Sequence, residues 1–253
     1  MNVKEKLEPF LPVIGVVGLF AVWFGATSLK LVDPVLLPSP MAAGKAFYQG
    51  MYGVLGFDFV KTIYRTLMAT AIAAVIAIPL GIVLGASEKL YRSLEFVIDF
   101  FRSTPASAMF PLFLVLFGVG DETKISVAAF GAILVILFNV AYGVMNARKT
   151  RLLAAKVMGA SRLRVLFDVM LFESLPQTFV GLRNGVSLAL VIIVVAEMFI
   201  GSQDGLGHSV FEAQQMFEMP RMYAAIFAAG ALGYGLNLIF LTIERRFVHW
   251  SGK

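Results

Sequence analysis

Apolar residues run along this chain in long stretches separated by short polar breaks. A helix needs about 20 mostly apolar residues to cross a bilayer. Six stretches meet that length, over residues 9–29, 62–85, 96–119, 125–145, 179–201 and 223–243. The third is the least clean, because Asp99, Arg102, Pro105 and Pro111 interrupt it, and its two prolines predict a bend. The pattern predicts an all-α polytopic membrane protein with six transmembrane helices. Between the first and second stretches, Asp33-Pro34 and Leu37-Pro38-Ser39-Pro40 break any helix, and a short helix is expected over 41–52. Residues 202–220, with Gly205, Gly207, Asp204, Glu212 and Glu218, read as a loop.

Composition agrees with the pattern. The chain has 253 residues, 59% of them hydrophobic and 15% charged, against about 25% charged in soluble domains. There is no cysteine, which excludes a disulfide framework, a thiolate metal site and a cysteine nucleophile. Lys4 and Lys6 precede the first apolar run as in a signal peptide, but no small-residue cleavage site follows, so the run reads as a retained span. With the N-terminus inside, 14 of the 21 Lys and Arg residues fall on the cytoplasmic side, seven of them between Arg148 and Arg183. By the positive-inside rule both termini are cytoplasmic. The net charge of +5 therefore reflects topology and is no nucleic-acid footprint. We expect one domain: a first span with its external segment over 1–59, appended to a core over 60–247 that contains the loop 148–178.

That loop is long for a membrane protein. Ala154 and Ala155 favour helix and let another surface approach the backbone closely. Gly159 permits a turn out of the helix. Leu163, Leu166, Val169 and Met170 then recur at helical spacing, with Arg162 and Arg164 on the other face. The expected form is a short docking helix, a turn and a second helix returning to the membrane, with Pro176 marking a break before the fifth span. The plainer alternative is an interfacial helix anchored to lipid headgroups by its Lys and Arg residues.

Polar residues inside spans are few. Glu197 lies deep in the fifth, where an unpaired carboxylate is costly. Two readings stand: a pathway or gate residue, or a structural carboxylate bonded to a neighbour such as Asn139 or Ser187. Asn139, Asn184 and Ser187 either line a path or bond between helices. Asp99 and Arg102, three apart, form an intrahelical pair near the inner interface or a charged gate. Pro105 provides a hinge or opens a cavity, and Met109, Phe110, Phe138, Met198 and Phe199 are candidates for an apolar gate. His208 and His249 show no metal-ligand spacing, and no constellation for covalent chemistry or metal binding is present. His208 lies where Gly205 and Gly207 permit close approach of an external partner.

The loop resembles the "EAA" loop of type I permease subunits of ATP-binding-cassette importers. Ala154, Ala155, Gly159, Val169 and Leu171 match in register, while Leu153 stands in the place of the glutamate and Phe172 in that of the proline. LLPSP, TIYRTL, IPLGIVLGAS, RSTPASAMFPLFLVLFGVGD, GLRNGVSLALVIIVVAEMFIGSQDGLGHSVFEA and ERRFVHW follow in the order of the nitrate/sulfonate/taurine/bicarbonate group. The resemblance implies the type I (MetI-like) fold, with Leu153, Ala154, Ala155, Gly159, Ala160, Ser161 and Arg162 as the ATPase-docking segment of a cytoplasmic coupling helix. It implies import of a small solute through a pathway shared with a second permease copy, in a bacterial inner membrane. Two ATP-binding subunits and a solute-binding protein are the implied partners. The chain itself is not expected to be an enzyme or to hold a cofactor. It has no GxxxxGK[ST] loop, so ATP and Mg belong to the partner. The rival readings are a gradient-driven secondary transporter, for which Glu197 is the one strong coupling carboxylate, and a non-transporting scaffold.

Overall fold

A computed structural model of the chain describes residues 11–248. Every regular element among them is helical. In chain order they are α1 (Leu11–Ser28), α2 (Pro40–Met51), α3 (Val54–Ala86), α4 (Glu88–Ser103), a 3-10 turn (Ala106–Met109), α5 (Phe110–Phe117), α6 (Asp121–Met145), α7 (Lys149–Val157), a π-helical turn (Val165–Met170), α8 (Leu171–Phe199), α9 (Leu206–Gln215) and α10 (Met219–Phe247).

The core is α3, α6 and α8, and small residues decide how they meet. The buried stripe of α3 includes Ala69, Ala73, Ala77, Gly81 and Gly85, spaced four apart. It faces Leu137, Val140, Ala141 and Val144 of α6, close enough that a Cβ on Gly81 would stand 2.7 Å from the Val140 Cβ and one on Gly85 2.6 Å from the Ala141 carbonyl. Gly181 and Gly185 of α8 meet Asn139 and Ile136 in the same way. In lipid the apolar surround gives helices no hydrophobic reason to associate, so close backbone approach and dispersion contacts hold them. A second apolar cluster joins Leu55, Val186, Leu190, Leu206, Ala224, Ala228 and Leu232 across α3, α8, α9 and α10. Trp23 fixes α1 to this body: its indole N–H donates to the Pro38 carbonyl at 3.0 Å, and its ring lies 5.5 Å from Phe227 and 5.9 Å from Tyr223.

Two expected features are corrected, the break at Pro176 and the loop over 206–215. Among the described residues four helices are long and apolar enough to cross a membrane, five if α4 and the segment through α5 are one broken span, and α1 is a shorter apolar helix. The expected start of the first span at Pro9 lies outside the described residues, as does His249. The bend expected in the third span is present. Its two halves bend by 87° at Thr104-Pro105, because Pro105 cannot donate to the helical ladder and the residue before it is pushed out of the α region. Pro176 makes no break, since α8 runs through it and the irregular turn lies six residues or more upstream, at the π-helical stretch. Residues 206–215, read as loop, form α9. The short helix expected over 41–52 is α2, capped by the Ser39 hydroxyl, which accepts from the Ala42 N–H.

Candidate functional site

Two regions at opposite ends of the core concentrate the informative residues. At the end where α8 finishes, a buried polar network surrounds Arg65 of α3, whose side chain is 2% exposed. Its Nη1 donates to Glu197 at 2.7 Å and to the Asp204 carbonyl at 3.0 Å. Its Nε and Nη2 donate to Asp121 at 2.9 and 2.6 Å, and Nη2 also meets the Asp204 carboxylate. Lys61 stands 3.7 Å from Asp204 and Lys124 3.8 Å from Asp121. Arg65, Lys61 and Lys124 thus stand against Glu197, Asp121 and Asp204. A guanidinium suits this position because its planar fork serves several acceptors in fixed directions. Asp204 lies in the turn beyond α8. Partial burial pushes its carboxyl up, but the Arg65 hydrogen bond and the Arg65, Lys61 and Lys124 charges outweigh that and hold it below the usual carboxylate range.

The same network starts α9. A helix begins with N–H groups that have no partner in the helix. Here Gly205 N–H donates to Asp58 at 2.8 Å, Leu206 N–H to the Thr62 hydroxyl at 2.9 Å and Gly207 N–H to Glu197 at 3.0 Å. Thr62 in turn donates to Glu197, and Ser209 to Asp58. Negative carboxylates at this end also complement the helix dipole. Gly205 takes φ +109°, and a Cβ there would stand 2.6 Å from a Glu197 carboxylate oxygen. Gly207 lies against Val194 and Glu197 so closely that no side chain fits. The two glycines therefore serve internal packing, not the approach of an external partner.

Glu197 is corrected accordingly. Its side chain is 0% exposed, and its partners are Arg65, Thr62 and Gly207 rather than Asn139 or Ser187. It is buried among protein groups. The sequence reading did not single out Arg65, Asp58, Thr62 or Asp121 as site residues. The signal was present: Asp58, Thr62 and Arg65 share a helical face with the small-residue stripe.

At the opposite end, α7 carries Leu153 and Ala154 exposed and Ala155 buried. Val157 at its end, and Met158 and Gly159 beyond it, are exposed. Gly159 closes the helix at φ +79°, its N–H reaching the Lys156 carbonyl at 3.0 Å, and the next N–H, of Ala160, reaches Ala155 at 3.0 Å. This is the left-handed C-terminal cap that glycine adopts most easily. Ser161 accepts from the Arg164 N–H, starting the turn that leads through the π-helical stretch into α8. The expected helix, turn and returning helix are all present, and the side chain of Arg162 is not described.

The remaining expected residues separate into groups. Asn184 and Ser187 lie exposed on one face of α8, where Ser187 donates back to the Arg183 carbonyl. Asn139 is half-buried, donates to the Val135 carbonyl and accepts from Gln177 at 2.9 Å, so it bonds along and between helices. Pro105 lines a cavity of about 370 Å³ together with Arg102, Phe110 and Val191, and half-buried Met109 ends the 3-10 turn beside it. Met198 and Phe199 line a different hollow with His208 at the Arg65 end, so the five residues of the expected apolar gate do not converge. Asp99 and Arg102 form the expected intrahelical pair at 3.1 Å.

Known proteins place the chain. Residues 77–250 match the family described as "Binding-protein-dependent transport system inner membrane component". The taurine transport system permease protein TauC of Escherichia coli is 29% identical over 93% of this chain and 87% of its own length. The nitrate import permease protein NrtB of Synechococcus elongatus is 28% identical over 99% of this chain and 91% of its own length. Among solved structures, the inward-facing MetNI methionine ABC transporter superposes with a TM-score of 0.70 at 21% identity, over 78% of this chain and 97% of the matched one, which shows a shared fold. A family match across most of the chain, relatives of equal extent and a MetI-like helical core agree: the chain belongs to the inner-membrane permease family of binding-protein-dependent ABC importers.

Proposed function

We propose that this permease imports a small anion, of the class of nitrate, bicarbonate, sulfonates or small organic acids, on energy supplied by a separate ATPase. The observation that carries the coupling half of this reading is the loop after α6. An exposed apolar patch of Leu153, Val157 and Met158 stands among Lys149, Arg151 and Lys156, on a segment that continues into α8. An apolar patch with a basic rim is built for a protein partner, and the following helix gives that partner a rigid element to move. We assign Leu153, Ala154, Ala155, Gly159, Ala160, Ser161 and Arg162 to the docking surface.

The basic loop sets the sidedness. By the positive-inside rule α7 and both termini are cytoplasmic, in a bacterial inner membrane, and the Arg65 cluster is external. A second copy of the chain completes the pathway, with Asn184 and Ser187 of α8 and the cavity beside Pro105 on the shared face. A solute-binding protein delivers cargo from outside, and ATP and Mg reside on the partner. The anion class rests on the taurine, sulfonate and nitrate relatives. A gradient-driven carrier is less well supported because the Glu197 side chain is 0% exposed and already paired with Arg65. The test is ATP-dependent uptake of taurine, methanesulfonate and nitrate by proteoliposomes holding the complete complex. Accumulation that requires ATP supports the reading. Accumulation driven by an ion gradient without ATP overturns it.

A further inference from the structure

Arg102 and Asp99 sit where a charged pair is least expected. The Arg102 guanidinium lies over the Phe138 ring, 5.2 Å from its centroid, and the adjacent Phe101 packs at 6.0 Å against Phe130. Both rings belong to α6, whose 25 residues extend about 37 Å at 1.5 Å per residue. Phe130 and Phe138 bracket the middle of that helix, each within about 8 Å of it. The pair is therefore at mid-membrane depth and not near the inner interface. Yet the two side chains are 53% and 52% exposed. Half-exposed charges at that depth do not face lipid; they face water or a solute in a cavity.

The cavity is present on both sides of the pair. The space of about 370 Å³ has Arg102 as its one charged lining residue among those described, with the Thr104 and Ser107 side chains nearby and apolar walls from Phe110, Leu188 and Val191. A neighbouring space, sharing Thr104 and Pro105, is lined by Asp99. The 87° bend at Thr104-Pro105 follows directly after them, at the end of α4.

We propose that Arg102 is a solute-binding residue within the membrane, that it takes the single anionic group of a small oxyanion or sulfonate, and that Asp99 is the resident counter-ion the solute displaces. A single cation matches one negative charge, and the apolar wall disfavours a second. An arginine left bare at mid-depth between transport events would be costly, and the 3.1 Å pair with Asp99 removes that cost. The competition also aids release, because Asp99 retakes the guanidinium as the anion leaves. The inference rests on the importer reading and adds the residue that recognises the anion.

The test is uptake of taurine, methanesulfonate and nitrate by the complete complex in proteoliposomes, with assembly followed by co-purification of the ATPase. Arg102→Gln should assemble normally and lose at least about tenfold of uptake. Arg102→Lys should keep a substantial part, since it keeps the charge. Asp99→Asn should lower the half-saturating concentration and slow the maximal rate, because nothing displaces the bound anion. Full uptake by Arg102→Gln overturns the inference, and so does equal loss in the Gln and Lys variants, which would make shape rather than charge the cause. If Arg102→Gln does not assemble, Asp99→Asn decides, and unchanged kinetics there count against the proposal. A wild-type complex that transports none of the three probes would instead contradict the proposed substrate class.

Discussion

Replacing Arg65 with methionine should cost this protein about 3–5 kcal/mol, the typical penalty for leaving one member of a buried ion pair unmatched. The structure shows where that penalty falls. Asp121 and Asp204 are 34% and 26% exposed, so both recover much of their hydration when Arg65 is removed. Glu197 is 0% exposed and keeps only the Thr62 hydroxyl and the Gly207 N–H. Most of the loss is therefore the uncompensated Glu197 charge. Thermal unfolding in detergent is the assay. At about 2–4 °C per kcal/mol for a chain of this size, Tm should fall by roughly 6–20 °C. The decisive comparison is Arg65→Met combined with Glu197→Gln. The carboxamide oxygen still accepts from Gly207 and Thr62 but carries no charge, so the double variant should recover at least about half of the loss. A fall of under about 2 °C in the single variant, or a double variant no better than the single, would refute the assignment of Glu197 as the residue that needs Arg65.

Three further outcomes follow from local geometry. Gly159→Val should weaken ATPase co-purification and uptake while Gly159→Asn keeps more of both, because φ +79° costs a β-branched residue roughly 1–2 kcal/mol and asparagine less; a Cβ at Gly159 meets no atom within 4 Å, so equal behaviour of the two variants would show that backbone conformation is not the cause. Gly207→Ala should destabilise the fold severely, read as loss of detergent-stable protein, since its Cβ would stand 2.8 Å from the Glu197 Cβ and closer still to the Val194 backbone. Asp204 has a folded pKa below its unfolded value, so the stability it contributes is complete above about pH 4 and is lost as pH falls through the lower folded value; Asp204→Asn should be less stable than wild type at pH 7 and should lose less on acidification, and parallel Tm-versus-pH curves for the two proteins would contradict this.

Most of the helical core was legible because its pattern is local. α6, α8 and α10 follow from apolar runs of sufficient length, and the helix, glycine cap and return of the loop follow from Ala154, Ala155 and Gly159. The bend in the third stretch was legible from Pro105. Its consequence was not, since nothing local fixes the 87° turn of α4 against the next segment. α9 was missed for a different reason. No side chain of its own caps it, and its first N–H groups are satisfied by Asp58, Thr62 and Glu197, which are distant in sequence or on another helix. Glycines that look like loop formers at 205 and 207 were in fact making room for that contact. Arg65 was not singled out because a lone arginine eleven residues into an apolar helix looks like an interfacial anchor. Only the convergence of Asp121, Glu197 and Asp204 from other segments reveals a buried hub.

The central claim is that the loop after α6 receives the force-generating ATPase. The chain contains no cysteine, so Val157→Cys introduces a unique thiol on the exposed apolar patch. A thiol-to-amine crosslinker applied in native membranes, followed by mass spectrometry, should join this position to a soluble ATP-binding subunit. The same thiol placed at Phe217, at the opposite end of the core, should not reach it. Absence of an ATP-binding subunit from the Val157→Cys crosslinks, or its capture from Phe217→Cys instead, would contradict the account.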